Sequence, residues 1–202
     1  MIEKIAAIIL AAGQSTRMGV SKMLLPWKDA TVLDAVINLS LSSRLKPIVV
    51  VTGAFHAPIQ NKLAAYGGQI VEIHNPQYIA REMFFSLKMA IQELQGKCDA
   101  AMIFLGDQPQ IPLAIVEAII HKYRISHPQI ILPSYNMRRG HPIMIHQDYF
   151  REILSMPDSG NLKDFMIRNS TAIEYLLVDS PEVLEDIDIP ADYDRIKKNH
   201  TK

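Results

Sequence analysis

The chain predicts an α/β protein built on a mostly parallel sheet with helices on both faces. Three observations lead there. Strand-like and helix-like segments alternate along most of the 202 residues. The first strand-like run opens into a turn of small residues, Ala11-Ala12-Gly13, where a chain can bring its backbone N–H groups onto an anion. Hydrophobic residues make up 49% of the chain, enough for a sizeable core, and the length suits one domain spanning 1–202.

The elements follow in order. The isoleucine-rich run 5–11 reads as a buried strand, and 31–43 carries apolar residues at helical spacing. A strand at 47–52, a helix near 56–65 and a short strand at 69–73 come next. Residues 83–95 read as a helix and 99–105 as a strand. Pro112 stands where a first helical turn accepts it, which predicts a helix over 112–125. Strands at 129–133 and 142–146, helices at 147–154 and 160–168, a strand at 172–178 and a polar helix from Pro190 complete the chain. Sheets of this kind bind ligands beyond the carboxyl ends of their strands, so the loops after Leu10, Val51, Ile73 and Leu105 are expected to share one rim.

Composition narrows the function. The 21 basic and 21 acidic residues cancel, which argues against a dedicated nucleic-acid binder. The single cysteine, Cys98, forms no internal disulfide and reads as inert packing. Met1 to Lys4 lead into a strand without a secretory pattern, and no apolar stretch reaches membrane-spanning length. A cytoplasmic protein with no membrane or nucleic-acid partner is the expectation.

Two loops carry chemistry. After the first strand, Arg17 and Lys22 add the positive charge that a triphosphate needs. Five residues separate Gly13 from Gly19 and Val20 follows, so this is neither a P-loop nor a dinucleotide fingerprint. A plain glycine turn with two solvated cations is the alternative. After strand 99–105 comes Gly106-Asp107-Gln108-Pro109, which sets a carboxylate on the same rim. One or two carboxylates with water and phosphate oxygens make a Mg²⁺ site; an Asp in an ordinary turn is the competing reading. Near the end, Asp186 and Asp188 alternate with isoleucines, so an extended segment points both the same way. Either one adds a metal ligand, or Asp188 caps the helix from Pro190. His74, His121 and His146 lack metal-ligand spacing, and Trp27 and Met23 read as packing.

The segment Leu10-Ala11-Ala12-Gly13-x-Ser15-x-Arg17-Met18-Gly19-x-x-Lys22-x-Leu24-Leu25 resembles the signature of the MobA-like nucleotidyltransferases. Further matches point to their molybdenum cofactor cytidylyltransferase (MocA-like) branch: Asn75-Pro76, Met83 with Ser86-Leu87, Gly106-Asp107-Gln108-Pro109, Arg139-Gly140-His141-Pro142 and Asp186-Ile187-Asp188.

The resemblance implies a Rossmann-like three-layer α/β/α sandwich of the nucleotide-diphospho-sugar transferase type. It implies transfer of a nucleoside monophosphate, CMP from CTP, onto a phosphate acceptor such as molybdopterin cofactor, with release of pyrophosphate. By motif position, Leu10, Ala11, Ala12, Gly13 and Ser86 bind the nucleotide, Arg17 and Lys22 hold its phosphates, and Asp107 binds Mg²⁺ with Asp188 as second ligand. Arg139 and His141, in a loop with Arg138, read as a basic lip for the anionic acceptor; solvated arginines beside a hydrogen-bonded His are the plainer reading. A product of this kind implies transient contact with a molybdoenzyme or its chaperone. The chain departs from the branch at Glu82 and Ala90, where Gly is common, at Ser159–Lys163, and at Ile189, where Thr is usual. Those positions bear on base and acceptor choice. They leave open the same chemistry on a sugar or alcohol phosphate, and a non-catalytic cofactor chaperone or insertion factor.

Overall fold

The computed structural model describes residues 3–80 and 83–200. Its elements, in chain order, are β1 (Ile5–Ala11), β2 (Pro26–Trp27), β3 (Ala30–Thr31), α1 (Val32–Ser42), β4 (Ile48–Thr52), α2 (His56–Leu63), β5 (Ile70–His74), α3 (Met83–Leu94), β6 (Ala100–Leu105), α4 (Leu113–Ser126), β7 (Ile130–Tyr135), β8 (Arg138–Arg139), β9 (Ile143–His146), α5 (Phe150–Ser155), α6 (Leu162–Arg168), β10 (Ile173–Leu177) and α7 (Pro190–His200).

The main sheet runs β10-β7-β9-β6-β1-β4-β5, with β8 paired to β7. β1 pairs in parallel with both β4 and β6, β4 with β5, and β10 with β7. β9 is antiparallel to β6 and to β7. All seven residues of β1 are buried, as a central strand covered on both sides requires. Its side chains alternate between two cores. Ile5, Ala7, Ile9 and Ala11 pack with α1, α2 and α4, through Leu33, Ile59 and Ile119 among others. Ala6, Ile8 and Leu10 pack with α3, α5 and α6, through Leu87, Ile153 and Phe165. The result is the three-layer arrangement expected.

Several boundaries moved for local reasons. Thr31 is the N-cap of α1, in a capping box with Asp34, so the helix begins one residue later than its apolar pattern. Asn161 likewise caps α6 by accepting from the Asp164 N–H, which removes 160 and 161 from the expected helix. Residues Gln147–Tyr149 form a 3-10 turn ahead of α5. The 3-10 turn Lys22–Leu24, the β2–β3 pair, strand β8 and the 3-10 turn Pro181–Leu184 carry no periodicity and were not anticipated. Glu82 lies outside the described residues. No helix among the described residues is long and apolar enough to cross a membrane.

The parallel arrangement puts the loops after β1, β4, β5 and β6 on one rim, as anticipated. Two glycines let them close up. The Gly106 N–H donates to the Leu10 carbonyl at 2.9 Å, and a Cβ at Gly106 would meet that oxygen and the Met23 sulfur at 3.0 Å. A Cβ at Gly53 would stand 2.9 Å from the Cα and Cβ of Ala12.

Candidate functional site

A cavity of about 320 Å³ opens on this rim, in the size range of small-molecule sites. Leu10, Ala12 and Gly13 bring the first loop to its wall, Leu105 and Asp107 the loop after β6, and Ser86 the first half of α3. Gly13 has nothing within 4 Å of where its Cβ would stand, so its backbone faces open space. Ser86 is buried, and its hydroxyl accepts from the Asn75 amide at 3.0 Å. The Asn75 side-chain oxygen accepts in turn from the Gln77 N–H at 2.9 Å. A polar anchor held from both sides thus sits in a mostly apolar part of the cavity.

The charged end is built by three distant segments. Asp107 stands just past β6 and is buried. The Lys22 ammonium contacts its Oδ2 directly and lies 3.3 Å from Asp188 Oδ1. Arg17, largely exposed, pairs with the other oxygen of Asp188 at 3.0 Å. Asp188 therefore faces both cations. Carboxylate oxygens of Asp107, Asp186 and Asp188 all lie within 4.8 Å of one another. Burial would lower the basicity of Lys22, but the charges and hydrogen bonds of Asp107 and Asp188 outweigh it and hold the ammonium above its ordinary value. Asp186 is pushed up by burial and by the neighbouring Asp107 and Asp188.

This donor set suits a hard divalent cation, which takes carboxylate oxygens. Three carboxylates meet two cationic side chains here, and one ammonium already sits between two of them as a stand-in.

The candidate residues divide accordingly. Leu10, Ala12, Gly13, Lys22, Ser86 and Asp107 line the cavity, and Arg17 and Asp188 join its charged end. Ala11 does not reach it, because strand alternation turns its side chain into the opposite core. Arg139 and His141 do not form a common basic lip. Arg139 is exposed and its Nε donates to the Tyr175 hydroxyl at 2.9 Å. The His141 Nε2 is buried without a partner, and burial pushes the imidazole down to about 4, so it is neutral near pH 7. Tyr78 and Met23 line the cavity without having been singled out for it, and Asp186 joins the carboxylates. The alternation of Asp186 with Ile187 was the signal that located the last of these. Cys98 is buried with its thiol pushed up to about 11, which fits inert packing.

Comparison with known proteins identifies the family. Residues 7–172 match the family model described as MobA-like NTP transferase domain. The Escherichia coli (strain K12) molybdenum cofactor cytidylyltransferase is 30% identical over 98% of this chain and 98% of its own. The crystal structure of Rv0371c from Mycobacterium tuberculosis H37Rv superposes with a TM-score of 0.81 at 27% identity, covering 96% of this chain and 98% of that one. A second structure of Rv0371c, in complex with manganese, gives a TM-score of 0.76 at 25% identity, covering 96% of this chain and 98% of that one. With a matching model over most of its length, a full-length relative and the expected sheet, the chain belongs to the MobA-like NTP transferase family.

Proposed function

We propose that the chain, acting as one domain, is a molybdenum cofactor cytidylyltransferase: it transfers CMP from CTP onto a phosphate of a molybdopterin-type acceptor and releases pyrophosphate. One observation carries this. Lys22, Asp107, Asp186 and Asp188 converge at one end of a cavity whose other wall is the Ala12-Gly13 turn. Cytidine is preferred because Ala12 stands where guanylyltransferases of this family tend to have Gly, and because the Escherichia coli relative is a cytidylyltransferase.

The residues divide the work. The open backbone at Gly13 lets the triphosphate lie against the turn. Ser86, fixed by Asn75, presents a hydrogen-bonding group toward the base. Arg17 and Lys22 stabilise charge on the departing pyrophosphate. Asp107, with Asp186 and Asp188, would hold Mg²⁺, which neutralises and orients phosphate oxygens when bound. The acceptor oxygen attacks the α-phosphorus in line while the bond to pyrophosphate breaks. A phosphate monoester is already largely ionised near neutral pH, so no general base is required of the chain.

The test is pyrophosphate release from CTP, GTP, ATP and UTP in turn, with purified molybdopterin cofactor and Mg²⁺. CTP should be used selectively, and Asp107→Asn should lower the rate about 100- to 1000-fold with the fold intact by circular dichroism. Selective use of another nucleotide, or full activity in Asp107→Asn, overturns the reading.

A further inference from the structure

The Lys22 ammonium touches Asp107 and Asp188, two of the three carboxylates that would hold a divalent ion. A Mg²⁺-sized ion bonds oxygen at about 2.1 Å and repels an adjacent ammonium, and Arg17 already holds the other Asp188 oxygen, so ion and ammonium compete for the same carboxylate oxygens. Lys22 also lines the cavity together with Ala12 and Gly13. Its backbone N–H is tied to the Ser15 hydroxyl at 3.2 Å, so the base of the side chain is held while its flexible four-carbon stem lets the head move.

We infer that Lys22 and the divalent cation are alternative occupants of the Asp107–Asp188 seat, and that arrival of the ion hands the ammonium over to the phosphates. This rests on the metal seat proposed above. Loading of the ion and the lysine's grip on the triphosphate thereby become one coupled event. Lys22 is parked on carboxylates until the ion that orients the phosphates arrives. Arg17 takes no such part. Its side chain is 67% exposed and, among the described residues, pairs with Asp188 through Oδ2, the oxygen that Lys22 does not contact.

Titration of the full chain with Mn²⁺ alone, read from the electron paramagnetic resonance of the free ion, tests the exchange without turnover. Lys22→Met and Arg17→Met each remove one positive charge beside Asp188. Exchange predicts that Lys22→Met binds Mn²⁺ about tenfold tighter or more, whereas Arg17→Met, losing a screened surface pair, gains less than about threefold. In the unaltered protein with ¹⁵N-labelled lysines, Mg²⁺ should move the Lys22 side-chain resonance to an unpaired position, which needs no variant to fold. Equal tightening in both variants with an unmoved Lys22 resonance overturns the exchange and leaves the metal seat standing. Failure of every form to bind Mn²⁺ overturns both.

Discussion

The backbone N–H of Ile187 donates to the carbonyl oxygen of Asp107 at 3.3 Å, across eighty positions of sequence. That bond lays the segment 185–189 alongside the loop after β6. The Ile187 side chain is then buried with Trp27, Val32 and Ile196, while its neighbours on either side turn toward Asp107. Gln110 reinforces the join. Its buried amide donates to the carbonyls of Glu182 at 3.1 Å and Glu185 at 2.6 Å.

Gln110 is therefore expected to position Asp186 and Asp188. Gln110→Met removes both donated bonds at similar length and should cost about 1–3 kcal/mol in urea denaturation. It should also weaken Mn²⁺ binding severalfold, whereas Gln110→Lys, which keeps a donor, should recover part of the affinity. Unchanged Mn²⁺ affinity in Gln110→Met would show that the segment is held by other contacts.

Ionised Asp186 works against the folded state: although its side chain reaches solvent, partial desolvation and the charges of Asp107 and Asp188 push its carboxyl above the ordinary value. Asp186→Asn should raise the metal-free melting temperature, and only modestly, because Asp186 is exposed and solvent screens the repulsion. The same change should weaken Mn²⁺ binding. A variant that melts lower without metal would contradict the repulsion inferred among these carboxylates.

Gly53 packs against Ala12 with no room for a side chain. Gly53→Val must push the Ala12-Gly13 turn outward, so the KM for the nucleotide should rise by about tenfold, the equivalent of about 1.4 kcal/mol of lost binding. Unaltered nucleotide KM in a folded Gly53→Val protein would mean that the turn does not support the triphosphate.

His141 sets a pH dependence of stability. In the unfolded chain its imidazole takes a proton near the ordinary value of 6.5, but in the fold burial delays this to about 4. Between those values the unfolded state binds more protons, so stability falls as pH drops from 6.5 toward 4, by up to about 3 kcal/mol. Urea denaturation at pH 7 and pH 4.5 should show a smaller loss in His141→Gln than in the unaltered protein. Equal losses would assign the pH dependence to other groups.

Much of the frame was legible from local pattern. Ile5–Ala11 is a run too apolar for anything but a covered strand, and the β-α alternation forces parallel pairing with the ligand rim at the carboxyl ends. Lys22 and Asp107 could be placed on that rim because each stands at a fixed distance from a strand end. Arg139 and His141 stand two positions apart but face different ways, because adjacency in sequence says nothing about direction. Arg139 lies on an exposed hairpin strand and reaches Tyr175, while the next turn half-buries His141, encloses its Nε2 and has its backbone N–H donate to the Val183 carbonyl at 3.0 Å.

The succession of the main strands and helices along the chain, the burial of β1, the small-residue turn and the two acidic motifs were legible in sequence alone, since each rests on spacing within a few residues. Which carboxylates meet, and around which cation, was decided only by the tertiary structure. Asp186 and Asp188 reach Asp107 through the bonds of Ile187 and Gln110, and Lys22 reaches them from the other end of the chain. Contacts of that range depend on how loops from different strands are stacked, and hydrophobic periodicity holds no information about such stacking.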